Sequence, residues 1–330
     1  RRRQRQMCIR DRLKATVTGA YVNEDQRHTE RVLSIPDDPA SASRTTSLVE
    51  RFVNWKRYNF DALLNYSKNF GQHGLKVMVG YHAEKYEVSK NQMQRNNFPS
   101  NSLNDMDAGG ASTQTNDGLS RELAMLSYFG RINYDFAGKY LLEANFRADA
   151  SSRFAPGHRW GFFPSFSAGY DIARTDYFKQ WSLPVSQLKV RLSYGRLGNQ
   201  NGAGLYDYLN FMTLRPDYSN AWLLSGVTSA TPVRGTVALT PSMVSPYITW
   251  EKVDNANLGF DLTLLNNRLT ITADIYQRTT KDMIGPAEAI PDIGGIAVDQ
   301  RAKVNNATLR NRGWELSVNW SDQLKNGFSY

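Results

Sequence analysis

The feature that most constrains this chain is an alternation of apolar and polar residues with period two, renewed along most of its length. Tyr128, Gly130, Ile132, Tyr134 and Phe136 share one parity, while Phe129, Arg131, Asn133 and Asp135 take the other. After Ala137-Gly138-Lys139 the pattern resumes: Tyr140, Leu142, Ala144, Phe146 and Ala148 oppose Leu141, Glu143, Asn145, Arg147 and Asp149. Leu188, Val190, Leu192 and Tyr194 stand against Lys189, Arg191 and Ser193, and Leu258, Phe260, Leu262 and Leu264 against Asn257, Asp261 and Thr263. Leu269-Ile271-Ala273-Ile275 and Trp314-Leu316-Val318-Trp320 continue the series. Successive side chains of a strand point to opposite faces, so these runs predict strands with two unlike surfaces. Ten are expected, near 13–24, 50–69, 74–91, 122–136, 139–150, 160–174, 187–199, 247–265, 268–282 and 304–322, with an eleventh beginning at the end.

The connections alternate in length. Short turns are expected at 70–73, 137–138, 266–267 and 323–326, and a medium one at 175–186. Long polar connections are expected at 25–49, 92–121, 200–246 and 283–303, with the shorter 151–159 in the same phase. Loops of that length are uncommon in compact soluble domains, whereas an up-and-down membrane barrel has short periplasmic turns and long outer loops. Strand length agrees: a sandwich strand is typically ~5–6 residues and a tilted membrane strand ~9–11. Aromatics, 12% of the chain, gather towards strand ends, as at Tyr134, Phe136 and Tyr140 or Trp250, Trp314 and Trp320, the distribution of an interfacial belt. No run approaches the ~18 apolar residues of a membrane-spanning helix. The expected fold is all-β: part of a transmembrane antiparallel up-and-down β-barrel, about ten or eleven strands of a larger closed wall, since an open edge in hydrocarbon leaves backbone groups unpaired.

The formal charge of +9 points first to a nucleic-acid partner. Six of the arginines, however, fall in Arg1 to Arg12, beside the single cysteine, Cys8. The run Met7-Cys8-Ile9-Arg10-Asp11-Arg12 back-translates into a transposon-end adapter used in sequencing libraries, so residues 1–12 are expected to be an adapter artefact and 13–330 part of the barrel domain. A basic arm for RNA or anionic lipid is the alternative. Without residues 1–12 the chain has no thiol, hence no Cys-based zinc site or redox switch, and no reason remains to invoke nucleic acid.

Five ordered blocks resemble the SusC/RagA group of TonB-linked outer-membrane proteins. They are Tyr128-Phe129-Gly130-Arg131-Ile132-Asn133-Tyr134 with Gly138-Lys139-Tyr140-Leu141-Leu142; Arg147-Ala148-Asp149-Ala150-Ser151-Ser152-Arg153-Phe154 with Arg159-Trp160-Gly161-Phe162-Phe163-Pro164-Ser165; Leu188 to Gly195 with Gly198-Asn199-Gln200; Trp250-Glu251-Lys252 with Asn257-Leu258-Gly259; and Asn311-Arg312-Gly313-Trp314-Glu315. Ala150 stands where the group usually has glycine. The resemblance implies a plugged barrel of about 22 strands in the outer membrane of a Gram-negative bacterium. It also implies active import of an oligosaccharide, or a peptide, with TonB pulling on the plug and a SusD-like surface lipoprotein closing the mouth. On that reading the plug, the TonB-contacting segment and the last strands lie outside these 330 residues. A passive porin or adhesin barrel, and a soluble secreted glycan-binding β-protein, are the alternatives.

No catalytic set and no cofactor motif is visible, so no enzyme is expected. His28, His73, His82 and His158 are scattered without metal spacing. The loop Asn104 to Gly110 has oxygen ligands that suit Ca²⁺, with a solvated loop tip as the simpler reading. On the barrel reading Arg131, Asp135, Glu143, Arg147, Asp149 and Asp261 face the lumen and its plug. Arg153 is expected to anchor its loop to the wall through an ion pair. Tyr206, Tyr208, Tyr218 and Trp222, on the longest loop, are the ligand candidates because sugar faces stack on rings; packing within the loop competes with that role.

Overall fold

A computed structural model describes residues 2–9, 12–34, 45–180, 184–212, 214–215, 237–238, 243–286 and 301–322. The strands are β1 (Arg2–Ile9), β2 (Leu13–Val32), β3 (Ser47–Phe70), β4 (His73–Asn96), β5 (Thr115–Phe136), β6 (Tyr140–Ser151), β7 (Trp160–Phe162), β8 (Ser165–Asp171), β9 (Val185–Asn199), β10 (Leu214–Arg215), β11 (Val237–Ala238), β12 (Glu251–Leu264), β13 (Leu269–Pro286) and β14 (Lys303–Trp320). One sheet is paired in the order β1-β2-β3-β4-β5-β6-β8-β9-β12-β13-β14, with β7 on β6, and β10 and β11 form a separate pair. Apart from the short β7, β10 and β11, each strand thus pairs with its neighbours in sequence, the up-and-down pattern. The one α-helix among the described residues, α1 (Asp176–Lys179), has four residues. Its Asp176 carboxylate accepts a hydrogen bond from Lys139 Nζ at 3.0 Å, and this ammonium holds the carboxyl below its ordinary range.

The chain divides into two compact units, Arg1–Leu64 with Gly80–Ser127, and Asn65–Val79 with Tyr128–Tyr330. In the first, β2 runs to Val32, β3 starts at Ser47, β4 runs to Asn96 and β5 starts at Thr115. Strand therefore occupies parts of 25–49 and 92–121, which the alternation assigns to loops. Where both faces of a strand meet water, polar residues take both parities and the periodic signal vanishes, while the backbone ladder continues. The unit is closed by Thr46, whose hydroxyl accepts the Phe98 N–H at 2.7 Å. Arg31 lies 4.0 Å over the Phe98 ring and donates to the carbonyls of Val32, Ser47, Ser100 and Leu103. Arg95 likewise donates to the carbonyls of Asp107 and Gly109 in the loop considered for Ca²⁺.

In the second unit the turns expected at 70–73, 137–138 and 266–267 appear where the sequence places them, and the one expected at 323–326 lies outside the described residues. Ala137 and Gly138 have φ of 55° and 65°, and Leu265, Asn266 and Asn267 are also at positive φ; asparagine tolerates that region better than most residues. The strand expected at 160–174 is interrupted at Phe163-Pro164 and ends in a 3-10 turn, Ile172–Arg174. The interruption is local. Ala148 pairs with Phe162 on one side of Pro164 and Asn145 with Ser165 on the other, in one register. Proline removes a donor from the ladder without shifting it. The Phe146 ring covers Gly130, whose missing Cβ leaves the space for it. Gly130→Val is expected to cost about 1–3 kcal/mol through overpacking, read as a lower urea midpoint. An unchanged midpoint would mean that the ring swings aside freely.

Candidate functional site: a wall with two unlike faces

Register fixes which residues share each face of the second unit. Across β9, β12, β13 and β14 the rows of one face read Leu188–Leu262–Ile271–Val318, Val190–Phe260–Ala273–Leu316 and Leu192–Leu258–Ile275–Trp314. Leu264, Leu269 and Trp320 form the row below. Eight of these side chains are exposed, Ile275 at 64% and Trp314 at 75%, and the others are half-buried. On β6 to β8 the same face carries Tyr140, Leu142, Phe146, Phe162, Phe166 and Trp160. Aromatic clusters mark its two edges: Tyr140 stacks on Tyr170 at 4.8 Å near the short turns, and Tyr128 on Trp160 at 6.0 Å near the long loops.

The apolar band drifts against the hydrogen-bond rows. On β14 its midpoint is Ser317, whose row partners are Thr272, Asp261, Lys189 and then Asp171 on β8. The midpoint of the Trp160 to Tyr170 span is Ser165, so the band has moved about six residues over four strand steps. With a rise of ~3.3 Å per residue and strands ~4.8 Å apart, that is a tilt of about 45°. An apolar slab crossed at this angle is the geometry of membrane-barrel strands.

The opposite face is polar and internally paired. Arg191 meets Asp261 through two hydrogen bonds, 2.7 and 3.1 Å, and reaches Asp274 at 3.2 Å. It crosses Gly259 to do so, where a Cβ would collide with the guanidinium. Glu143 accepts from Asn133 and Asn145, Arg131 donates to Asn145 at 2.7 Å, and Arg147 to Asp149 at 2.7 Å while lying over the Phe129 ring. Asp135 accepts the Gly138 N–H at 2.9 Å and so serves its turn. A concavity of about 1090 Å³ lies on this face, lined by Lys76, Glu143, Lys189, Arg191, Ser193 and Asn257 among others. Lys76 and Lys189 have no ion-pair partner among the described residues. Such a surface holds water and polar groups of either sign.

Three of the five sequence blocks meet at the base of the loops. Phe154, Phe163 and Trp250 are 0%, 6% and 3% exposed, with ring centroids 5.3 and 5.4 Å apart across Trp250. The Phe163 ring fills the space left by Gly161 and Gly198. Trp250 is therefore no belt residue; its indole N–H donates to the Arg159 carbonyl at 2.8 Å, beneath the loops. Glu251 accepts from Asn199 at 2.6 Å and from the Ile284 N–H at 2.9 Å. Arg153 donates to the Ala203 carbonyl at 2.6 Å, a backbone partner where an ion pair was expected. The sequence signal for this junction was glycine inside strands, which marks close approach, but alternation alone does not reveal which ring fills the gap.

Tyr206 and Tyr208 are half-buried, and Tyr206 packs edge-on to Phe211 at 6.3 Å. Between them Asp207 binds the Gly204 N–H at 2.7 Å and Lys303 at 2.9 Å. Tyr218 and Trp222 lie outside the described residues. The histidines are engaged separately, His73 with Tyr134 at 2.6 Å and His82 with Asp61 at 2.7 Å.

A TonB-dependent receptor (P3) of Formosa agariphila is 29% identical over 268 residues, which is 81% of this chain and 25% of that protein. The TonB-dependent receptor SusC of Bacteroides thetaiotaomicron is 28% identical over 313 residues, 90% of this chain and 29% of the relative. The chain thus spans about a quarter of the length of these curated relatives. Among solved structures, the RagAB peptide importer in its closed-closed state matches with a TM-score of 0.82 at 25% identity, over 97% of this chain and 33% of that one. The ferric-catecholate import receptor Fiu of E. coli K12, at 13% identity and a TM-score of 0.53, shares the fold. The family description "TonB dependent receptor-like, beta-barrel" matches residues 7–330, and the chain belongs to that family.

Proposed function

We propose that this chain is a stretch of the wall of an outer-membrane importer, driven through TonB, that carries an oligosaccharide or a peptide with a SusD-like lipoprotein at its mouth. The observation that carries the reading is the tilted apolar band backed by a hydrophilic face: lipid on one side, a wet lumen on the other. The similarity to SusC and to the RagAB peptide importer supports the cargo classes and the lipoprotein. On this reading Arg131, Asp135, Glu143, Arg147, Asp149 and Asp261 present the lumen surface to a plug. Arg153 anchors its loop, and Tyr206 and Tyr208 stand where cargo enters. Residues 1–12 remain assigned to an adapter sequence; the pairing of β1 with β2 is a backbone ladder that many sequences can make, and resequencing the locus decides the point.

The test is uptake of labelled oligosaccharide and of labelled peptide by cells carrying the full-length gene and the neighbouring lipoprotein gene, with and without a protonophore. Saturable uptake that the protonophore abolishes is expected for one of the two cargoes. Uptake indifferent to the protonophore would favour a passive porin.

A further inference from the structure

The lipid-side face changes character abruptly towards the long loops. Above Leu192–Leu258–Ile275–Trp314 the next row is Tyr194–Ala256–Gln277–Arg312, and the row after it is Arg196–Asp254–Thr279–Arg310. Lys252 and Lys281 lie beyond, on the same parity. Five cations therefore share this border with two carboxylates, Asp254 and Asp282. Asp254 is held by Arg196 at 2.7 Å and by Lys281 at 2.9 Å, and Asp282 by Lys252 at 2.8 Å. Among the described residues Arg312 bonds the neutral amide of Gln277, at 2.7 Å, and no carboxylate. Arg310 has no carboxylate partner among the described residues. At the other end of the same strands, among the described residues, Arg268 pairs with Asp322 at 3.1 Å.

We propose that Arg310 and Arg312, with Lys281, form a docking site for the phosphate groups of an anionic glycolipid in the outer leaflet; this rests on the membrane-wall reading above. Depth supports it. Two residues along a strand rise ~6.6 Å, or about 5 Å normal to a slab crossed at about 45°. Along β14 the guanidinium groups of Arg312 and Arg310 thus stand about 5 and 10 Å beyond Trp314, within the headgroup layer. Arg310, Arg312 and Lys281 lie on adjacent strands, ~5 Å apart, within reach of one headgroup. Arginine forks match phosphate oxygens and are more weakly hydrated than ammonium groups. A carboxylate shared by two cations cannot neutralise both.

The experiment uses the full-length protein in non-ionic detergent. It is titrated with a bisphosphorylated glucosamine-disaccharide lipid and with its dephosphorylated form, and bound lipid is counted by native mass spectrometry. Preference for the phosphorylated lipid is expected. Arg310→Ala with Arg312→Ala should weaken it at least about tenfold, the paired lysine variants should restore part of the loss, and Arg278→Ala, on the other face, should leave it unchanged. Heat-dependent gel mobility checks that each variant is folded. Equal binding of the two lipids, undiminished binding by the double alanine variant, or displacement by equimolar inorganic phosphate would each overturn the proposal. Failure of the wild-type protein to enter vesicles would instead overturn the membrane-wall reading.

Discussion

Ile271→Arg is expected to destabilise the membrane-inserted protein by about 2–4 kcal/mol, and Thr270→Arg by much less. The two positions are adjacent but face opposite ways. Ile271 sits in the row Leu188–Leu262–Ile271–Val318, midway between the aromatic edges of the apolar band. Thr270 pairs with Thr263 and Asn319 on the polar side. A guanidinium at the first site must be held in hydrocarbon or drag water to it; at the second it joins a surface already rich in hydrogen-bonding groups. Denaturant titration of the full-length protein in phosphatidylcholine vesicles measures both. Equal costs would reverse the assignment of faces and with it the lumen surface.

Trp250→Ala should be nearly as damaging, about 3–5 kcal/mol for a buried aromatic removed from a packed cluster. Phe154 and Phe163 would lose their common neighbour, and the Arg159 carbonyl its indole donor. The effect should spread to the loops at 151–159 and 200–212, since Arg153 ties the first to Ala203 of the second. Trp250→Phe keeps most of the ring contact and loses the hydrogen bond, so about 1 kcal/mol is expected. Limited proteolysis of the full-length protein gives the local readout beside a thermal melt. If Trp250→Ala cleaves no faster in these loops than wild type, the cluster does not hold them.

The wall itself was legible in the sequence. The expected ends at 265 and 268 for the last hairpin lie within a residue of Leu264 and Leu269. Alternation is strong there because lipid-like exposure on one side and paired polar groups on the other select residues position by position. It failed in the outer parts of β2 to β5, where both sides are polar and no face is selected. It also misread Trp250: a tryptophan near a strand end is equally consistent with a belt and with a buried junction, and only its neighbours distinguish them. Arg153 was expected to tie its loop to the wall through an ion pair, but its partner is a main-chain carbonyl, which side-chain identities cannot announce.

By itself, then, the sequence determined that these strands separate two unlike media, because side-chain direction follows from position along a strand and needs no knowledge of the partner strand. Only the tertiary structure decided which rows align. Register sets the tilt of the apolar band, brings Arg191 across Gly259 to Asp274, and gathers Phe154, Phe163 and Trp250 from three distant segments. Those contacts depend on how neighbouring strands slide against one another, and period-two patterns are identical for every slide of two residues.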